Sequence, residues 1–315
     1  MNPLQELETR LNERLSGTVI GMHELIRALI IAITSRGHVL VQGPPGLGKT
    51  LLGKTLASAL GGRFTRVQGT ADLMPADITG VHIFDEASRK FVLHPGPIFT
   101  DILLVDEINR AGPKTQSALL EAMAERQVTI DRTTYPLTPA FLVIATQNPH
   151  EFEGTYPLPE SQLVRFMLRI DVSYPASEDE TAVLNRYGTI ASTAETIPAG
   201  PAVITAEQIA AARDAIDRIH VAPEVIAYVL GLAKATREHA EIALGLSTRG
   251  ALALLRAARV AAALRGSEFI APDDVKLVLP WIVPHRLSIS ARATLEGRSD
   301  RALARAILDQ VAVPR

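Results

Sequence analysis

The segment "GPPGLGKT" at residues 43–50 constrains the fold more than any other part of the chain. It follows the apolar run "HVLVQ" and precedes "LLGKTLASAL", which reads as a helix. The segment fits the pattern G-x-x-x-x-G-K-[ST], in which a glycine-rich turn lets backbone N–H groups converge on phosphate oxygens at a helix N-terminus. Lys49 would reach the β- and γ-phosphates, and the Thr50 hydroxyl would ligate Mg²⁺. The predicted nucleotide-binding loop comprises Gly43, Pro44, Pro45, Gly46, Leu47, Gly48, Lys49, Thr50 and Leu51.

Strands and helices alternate around this loop. Apolar runs predict strands at 38–42, 63–68, 101–107, 141–147 and 166–172. Helical patterns fall between them, at 49–60, around 70–76, 114–125 and 160–165. A succession of β–α units predicts an α/β fold with a parallel sheet and helices on both faces.

Two segments interrupt this alternation. "GVHIFDEASRKFVLH" (80–94) alternates apolar and polar residues around the turn "DEAS", and "QVTIDRTTYPL" (127–137) does so around "DRTT". A period of two on each side of a polar turn predicts a β-hairpin. We therefore expect two β-hairpin inserts in the α/β fold.

The character of the sequence changes after about residue 172. A connector rich in Pro, Gly, Thr and Ala leads into helical patterns from residue 205 onward. Thr205 and Ser247 are predicted helix caps, Gly266 a helix stop, and Pro272 a first-turn residue. No strand is predicted in this half. We divide the chain into a nucleotide-binding core (1–172) and an all-α domain (173–315).

Polar residues end two further strands. "ILLVDEINR" places Asp106 where a carboxylate would lie beside the Mg²⁺ of the phosphate-binding loop. Glu107 could polarise a water molecule for attack on the γ-phosphate. In "FLVIATQNP", Asn148 could hydrogen-bond that water or the γ-phosphate, although Asn-Pro can also simply turn the chain. The predicted site thus has parts for hydrolysis of a nucleotide as well as for binding it.

The bulk composition excludes several classes of protein. The net charge is −2, so no overall basic surface for nucleic acid is predicted, and the absence of cysteine excludes disulfides and thiolate metal sites. The stretch "LIRALIIAIT" is too short for a membrane span, and "MNPLQELETRLNERL" lacks the apolar core of a signal peptide. We expect a cytoplasmic protein.

Together these features resemble the AAA+ ATPases and, more closely, the MoxR family. The resemblance covers almost the whole chain and rests on "GPPGLGKT", "ADLMPADITGV", "GPIFTDILLVDEINRAGPKTQSALLEAMAERQVTI", "ATQNPHEFEGTYPLPESQLVRF" and "LSTRGALALLRAARVAA". It implies an αβα P-loop NTPase sandwich with two hairpin inserts, followed by an all-α lid domain. Both hairpins are similar to inserts of this branch of the family.

The resemblance also implies roles for individual residues. Val19, Ile20 and Gly21 in "TVIGMHEL" look like the segment that lines the adenine pocket. Asn148 looks like the sensor of the γ-phosphate. Arg165 looks like the arginine finger that acts on a neighbouring subunit's ATP, and Arg249 in "STRG" looks like the second sensor, reaching from the lid to the nucleotide. Val164 stands where the family usually has an acidic residue.

The function implied by the resemblance is that of an ATP- and Mg²⁺-dependent ATPase acting as a homo-oligomeric ring, expected to be a hexamer. Chaperone-like remodelling of protein clients with a von Willebrand factor A domain is expected, with no nucleic-acid partner and no membrane span. Three alternatives stay open: a helicase-like DNA motor, the motor subunit of a metal chelatase, and an ATP-gated scaffold that barely hydrolyses ATP.

Overall fold

The computed structural model describes residues 2–149, 153–189 and 201–314 of the chain. Its strands are β1 (Val39–Gln42), β2 (Phe64–Gln68), β3 (Gly80–Asp85), β4 (Lys90–Pro95), β5 (Ile102–Asp106), β6 (Gln127–Ile130), β7 (Thr133–Pro136), β8 (Leu142–Gln147), β9 (Leu168–Asp171), β10 (Ile242–Leu244) and β11 (Ser288–Ile289). Its helices are α1 (Pro3–Ser16), α2 (His23–Thr34), α3 (Lys49–Ala59), α4 (Pro75–Thr79), α5 (Pro113–Glu125), α6 (Glu160–Leu163), α7 (Ser177–Tyr187), α8 (Ala206–Asp217), α9 (Pro223–Glu238), α10 (Thr248–Leu264), α11 (Pro272–Ile282), α12 (Ala291–Leu295) and α13 (Asp300–Gln310).

The central sheet is parallel and has the strand order β2-β5-β8-β1-β9. This confirms the predicted α/β class, and each of its strands lies within the predicted runs. Because side chains alternate along a strand, neighbouring residues serve different faces of the sheet. Val39 and Val41 join the core with α1, α2 and α3, whereas Leu40 joins the core with α5. Helices thus cover both faces of the sheet.

Both predicted hairpins are present. The first pairs β3 with β4 and the second pairs β6 with β7, each antiparallel and outside the central sheet. The helix expected around 70–76 instead spans Pro75–Thr79. The physical reason is Pro75, whose fixed φ and missing N–H suit the first helical position, so the helix begins there.

The C-terminal half is mainly helical, and Thr205 and Ser247 cap α8 and α10 as predicted. It also holds a short ladder, β10 paired with β11, that the all-α expectation missed. These strands have three and two residues, which is too short for a recognisable alternation in sequence. The lid helices share one buried cluster with α1, α2 and α3. No helix in the described part of the chain is long and apolar enough to cross a membrane.

His38, just before β1, is buried and neutral. Its Nε2 lies 3.0 Å from the Met123 carbonyl oxygen, and the Val143 N–H donates to Nδ1 over 3.0 Å. Because Nδ1 accepts, Nε2 carries the proton. Burial, and secondarily the charge of Arg126, lowers the pKa of His38 to about 3.

We expect this histidine to make the fold acid-sensitive. The unfolded chain takes up a proton at His38 below about pH 6.5, while the folded chain does not until about pH 3. His38 therefore does not reduce the free energy of unfolding above pH 6.5. Below that pH it lowers the free energy of unfolding by about 1.4 kcal/mol per pH unit as the pH falls towards 3. Urea unfolding of the wild type and His38→Gln at several pH values should show a shallower dependence in the variant. The exposed His94→Gln is the control, and equal slopes for wild type and His38→Gln would contradict the assignment.

Candidate active site

Four neighbouring strands, β2, β5, β8 and β1, end side by side at the carboxyl edge of the sheet. Gln42 of β1 is paired with Gln147 of β8, and Gln68 of β2 with Asp106 of β5. The chain leaves β1 into the predicted nucleotide-binding loop, and α3 begins at Lys49. One pocket at this edge is lined by loop residues and by polar residues of three other strand ends: Gly43, Pro45, Gly46, Leu47, Gly48, Lys49, Thr50, Arg66, Gln68, Asp106, Glu107, Thr146, Gln147 and Asn148.

The loop between β1 and α3 has the backbone of an anion cradle. Gly46 and Gly48 have φ of +82° and +80°, in the left-handed region that favours glycine. A Cβ at either position would meet no atom within 4 Å, so both face open space. Gly48 is the N-cap of α3 and supplies no side chain to its first N–H groups. These groups are available to a phosphate, and the helix dipole adds to the attraction.

Lys49 lies in the same pocket as two carboxylates. Its ammonium donates to the Gly43 carbonyl oxygen over 3.1 Å. Burial lowers the pKa of Lys49, against an opposing effect of Asp106 and Glu107. A negatively charged phosphate in the pocket would raise the pKa of Lys49 again and so stabilise its charged form.

Asp106 is held on both carboxylate oxygens. Its Oδ2 accepts from Arg66 Nε over 2.7 Å, and its Oδ1 accepts from the Thr146 hydroxyl over 3.1 Å. The Thr146 Oγ1 also accepts from the Glu107 N–H over 2.9 Å. Thr146 thus contacts the side chain of Asp106 and the backbone of Glu107.

Glu107 has a left-handed backbone, with φ of 53°, which is costly for a residue with a Cβ. Glu107 comes directly after β5, and its side chain lines the pocket. Its Oε2 accepts from Gln68 Nε2 over 2.9 Å and from Arg110 over 3.2 Å. The strained backbone and the two donors orient this carboxylate towards the same space as Lys49 and Thr50.

Asn148 lies at the end of β8 and lines the pocket, as expected. The segment predicted to line the adenine pocket lies outside this lining. Val19 is buried, Gly21 packs against Asp179 of α7, and the Tyr187 hydroxyl donates to the Thr18 carbonyl oxygen over 2.6 Å. The lining also omits Ile20, Pro44 and Leu51.

Arg165 and Arg249 do not reach this pocket. They line a second one with residues that precede β1 and β9, including Arg36, His38 and Met167, at the opposite, amino edge of the sheet. Arg286 ties the lid to this edge by donating to the carbonyl oxygens of Phe166 (2.9 Å) and Met167 (3.2 Å). Strands of four to six residues lie between the edges, which corresponds to about 13–20 Å. The resemblance implies that Arg249 reaches from the lid to a nucleotide. In the structure, Arg249 lines the second pocket and does not reach the loop of its own chain.

Several residues of the first pocket were not predicted. Arg66 and Gln68 are two apart on β2 and so share one face of an edge strand. Two long polar side chains in alternate positions at the end of this strand were the available signal. Thr146 and Gln147 directly precede Asn148, so their position at a strand end could have been inferred, but their hydrogen bonds could not.

A parallel sheet with a phosphate-binding loop after β1 and an acidic pair at the end of β5, separated by β8, defines a P-loop NTPase. Residues 38–168 match the family described as "ATPase family associated with various cellular activities (AAA)", and residues 234–307 match the AAA lid domain. Chaperone MoxR1 of Mycobacterium tuberculosis is 38% identical over 306 residues, 94% of this chain and 80% of that protein. YeaC of Bacillus subtilis, an uncharacterized protein, is 38% identical over 302 residues, 96% of this chain and 93% of its own. A crystal structure from Cytophaga hutchinsonii, of a protein assigned as an ATPase, has a TM-score of 0.90 at 36% identity and covers 99% of this chain and 96% of its own.

The chain belongs to the MoxR family of AAA+ ATPases. The fold and the ATPase activity predicted from sequence are thereby confirmed.

Proposed function

We propose that this chain hydrolyses ATP with Mg²⁺ in a homo-hexameric ring and uses the energy to remodel protein clients. The observation that carries the hydrolytic part is the convergence of Lys49, Asp106 and Glu107 on one pocket at the phosphate-binding loop. We assign the binding of ATP to residues 43–51 and, at the adenine end, to Val19, Ile20 and Gly21. The division into a core at 1–172 and a lid at 173–315 is part of the same proposal.

The residues present suit Mg²⁺. Thr50 and Asp106 line the same pocket and offer hydroxyl and carboxylate oxygens, the hard ligands that this ion prefers. In the described residues, no group of three or more His, Cys, Asp or Glu could hold a metal. Two protein oxygens are enough where phosphates and waters complete the coordination, as is usual for Mg²⁺ at nucleotides. When bound, the ion neutralises charge on the phosphates.

Glu107 is the proposed general base. Its carboxylate would accept a proton from the water that attacks the γ-phosphate, and Asn148 would orient that water or the phosphate. Lys49 would bind the β- and γ-phosphates. Gln68 and Arg110, both hydrogen-bonded to Glu107, are positioning residues for the base.

The ring follows from the two arginines at the amino edge. Phosphoryl transfer builds negative charge on the γ-phosphate oxygens, which a guanidinium stabilises. Arg165 and Arg249 lie about one strand length from their own loop, so we infer that both serve the ATP of a neighbouring subunit. The contact is head-to-tail: the amino edge of one sheet faces the carboxyl edge of the next, and such an interface generates a ring when the rotation closes.

Client remodelling is supported by the first hairpin. Phe84 and Phe91 are 51% and 71% exposed, and Ile83 and Val92 beside them are also exposed. The two phenylalanine rings pack edge to face, with centroids 5.5 Å apart. An exposed apolar surface on a hairpin outside the central sheet is suited to contact another protein. His82 links this hairpin to the second one by hydrogen bonds to Asp131 (2.7 Å) and Tyr135 (2.9 Å).

We expect Phe84→Ser with Phe91→Ser to abolish client capture while leaving ATP turnover within about twofold of wild type. Removing two exposed rings costs little stability, because their surface is mostly in water already. The experiment uses Glu107→Gln, which is proposed to bind ATP without turnover. This variant, with and without the hairpin changes, would be isolated from lysate together with its bound proteins, once with ATP and once with ADP. Mass spectrometry should find a protein with a von Willebrand factor A domain only with ATP and only with the intact hairpin.

The matched control is Leu295→Ser, which changes a side chain that is 90% exposed in the lid. It should leave capture unchanged. Equal capture by the hairpin variant, or enrichment of DNA and replication proteins instead, would contradict client remodelling through the hairpin.

A further inference from the structure

Five arginines line a groove that the proposed reaction does not use. Arg36, Arg126, Arg213, Arg256 and Arg259 form this arginine groove, together with Thr34, Ser35 and the carboxylates Asp214 and Asp217. The arginines come from the ends of α2 and α5 and from α8 and α10. The groove adjoins the pocket of Arg165 and Arg249, since Ser35, Arg36, Arg126 and Arg256 line both.

The positive charge of the arginine groove is not balanced by ion pairs. Among the described residues, none of its five arginines has a carboxylate oxygen within ion-pair distance. The hydrogen bonds that they make are to backbone carbonyl oxygens, such as Arg213 to Ile33 (2.8 Å) and Arg259 to Asp217 (2.9 Å). Burial, and then the charges of Arg36 and Arg126, lowers the pKa of Arg213 to about 10. An anionic partner would relieve this repulsion.

A surface of negative charge follows the carboxyl end of β9. Helix α7 follows β9 and begins with Glu178, Asp179 and Glu180, none of which forms an ion pair with a described residue. The helix has no buried residue, and its Leu184 is 70% exposed. Asp179 packs beside Gly21, and Gly43 of the nucleotide-binding loop packs against the Val172 carbonyl oxygen just before α7. The segment that leads from β9 into the acidic turn therefore starts beside the nucleotide-binding loop.

We propose that the arginine groove of one subunit receives the acidic first turn of α7 of the next subunit. This inference rests on the proposed ring. If Arg165 and Arg249 face the neighbour's ATP, the adjoining groove faces the surface beside that ATP. The groove and α7's contact with the α1–α2 connection also lie on the same side of the sheet, that of α1 and α2. Complementary charge then fixes the head-to-tail orientation of neighbouring subunits, and the contact between them covers α7.

The test is a charge reversal with rescue, measured by sedimentation with ATP in the Glu107→Gln background. Arg256→Glu with Arg259→Glu should weaken assembly by about 10–100-fold, because like charges then face each other. Glu178→Arg with Glu180→Arg should do the same. All four changes in one chain should restore assembly, which misfolding would not mimic. Arg305→Glu, an exposed arginine of α13, is the control and should have no effect.

Other results would overturn the inference in distinguishable ways. Normal assembly of either reversal, or no rescue in the combined variant, would refute the α7 contact while leaving the ring intact. If Glu107→Gln without further changes stays monomeric with ATP, the ring is refuted as well. Binding of inorganic tripolyphosphate that is lost with Arg256→Glu and Arg259→Glu, without an effect of these changes on assembly, would assign the groove to a free polyanion instead.

Discussion

Replacing Glu107 by glutamine is expected to lower ATP turnover by about 10²–10⁴-fold, the usual contribution of a general base. Glutamine keeps the size of the side chain but cannot accept the proton of the attacking water. The affinity for ATP should stay within about twofold, because binding depends on the loop and Lys49 rather than on this carboxylate. Turnover and equilibrium binding of a fluorescent ATP analogue would be measured on the same preparation.

The control for this variant is Glu121→Gln, which removes a carboxylate from the exposed side of α5. It should turn over ATP like the wild type. If the wild type and Glu107→Gln both hydrolyse ATP readily at the same rate, Glu107 is not the general base. If both barely hydrolyse ATP, the ATP-gated scaffold is favoured.

Arg165→Ala is expected to have a still larger effect on turnover, a loss of about 10³–10⁵-fold. In the proposed reaction, this arginine would supply positive charge that is needed only when charge develops on the transferred phosphoryl group. Since Arg165 lies at the amino edge, far from the loop of its own chain, each isolated chain should bind ATP as well as the wild type does. Turnover and ATP affinity would again be measured together, with Arg305→Ala as the control. A parallel loss of affinity and turnover would show that Arg165 acts on ATP binding instead.

The sequence predicted those parts of the site that follow directly from a strand end. An apolar run followed by a polar residue identifies both the strand and its edge, and in a parallel sheet these edges coincide. Lys49, Asp106, Glu107 and Asn148 could therefore be placed in one pocket from sequence. Arg66 could not, because its role depends on β2 pairing with β5 and on the contact with Asp106.

The position of Arg249 shows where local patterns stop being informative. Its helix α10 and cap Ser247 were predicted correctly, but the edge of the sheet that it faces depends on how the lid packs. That packing is set by contacts distant in sequence, such as Arg286 with Phe166 and Met167. The pairing of β10 with β11 likewise depends on distant contacts, because it joins short segments more than forty residues apart.

The central claim is that each ATP is hydrolysed with an arginine from the neighbouring subunit, and a mixing experiment tests it most directly. Arg165→Ala and Glu107→Gln are each expected to be inactive, because one lacks the arginine and the other lacks the base. In an equimolar mixture, about a quarter of randomly formed head-to-tail interfaces would combine the intact Glu107 of one variant with the intact Arg165 of the other. The account predicts that turnover reappears on mixing, towards that fraction of wild type. Turnover that remains at the level of the separate variants, in mixed rings shown to have assembled, would contradict it.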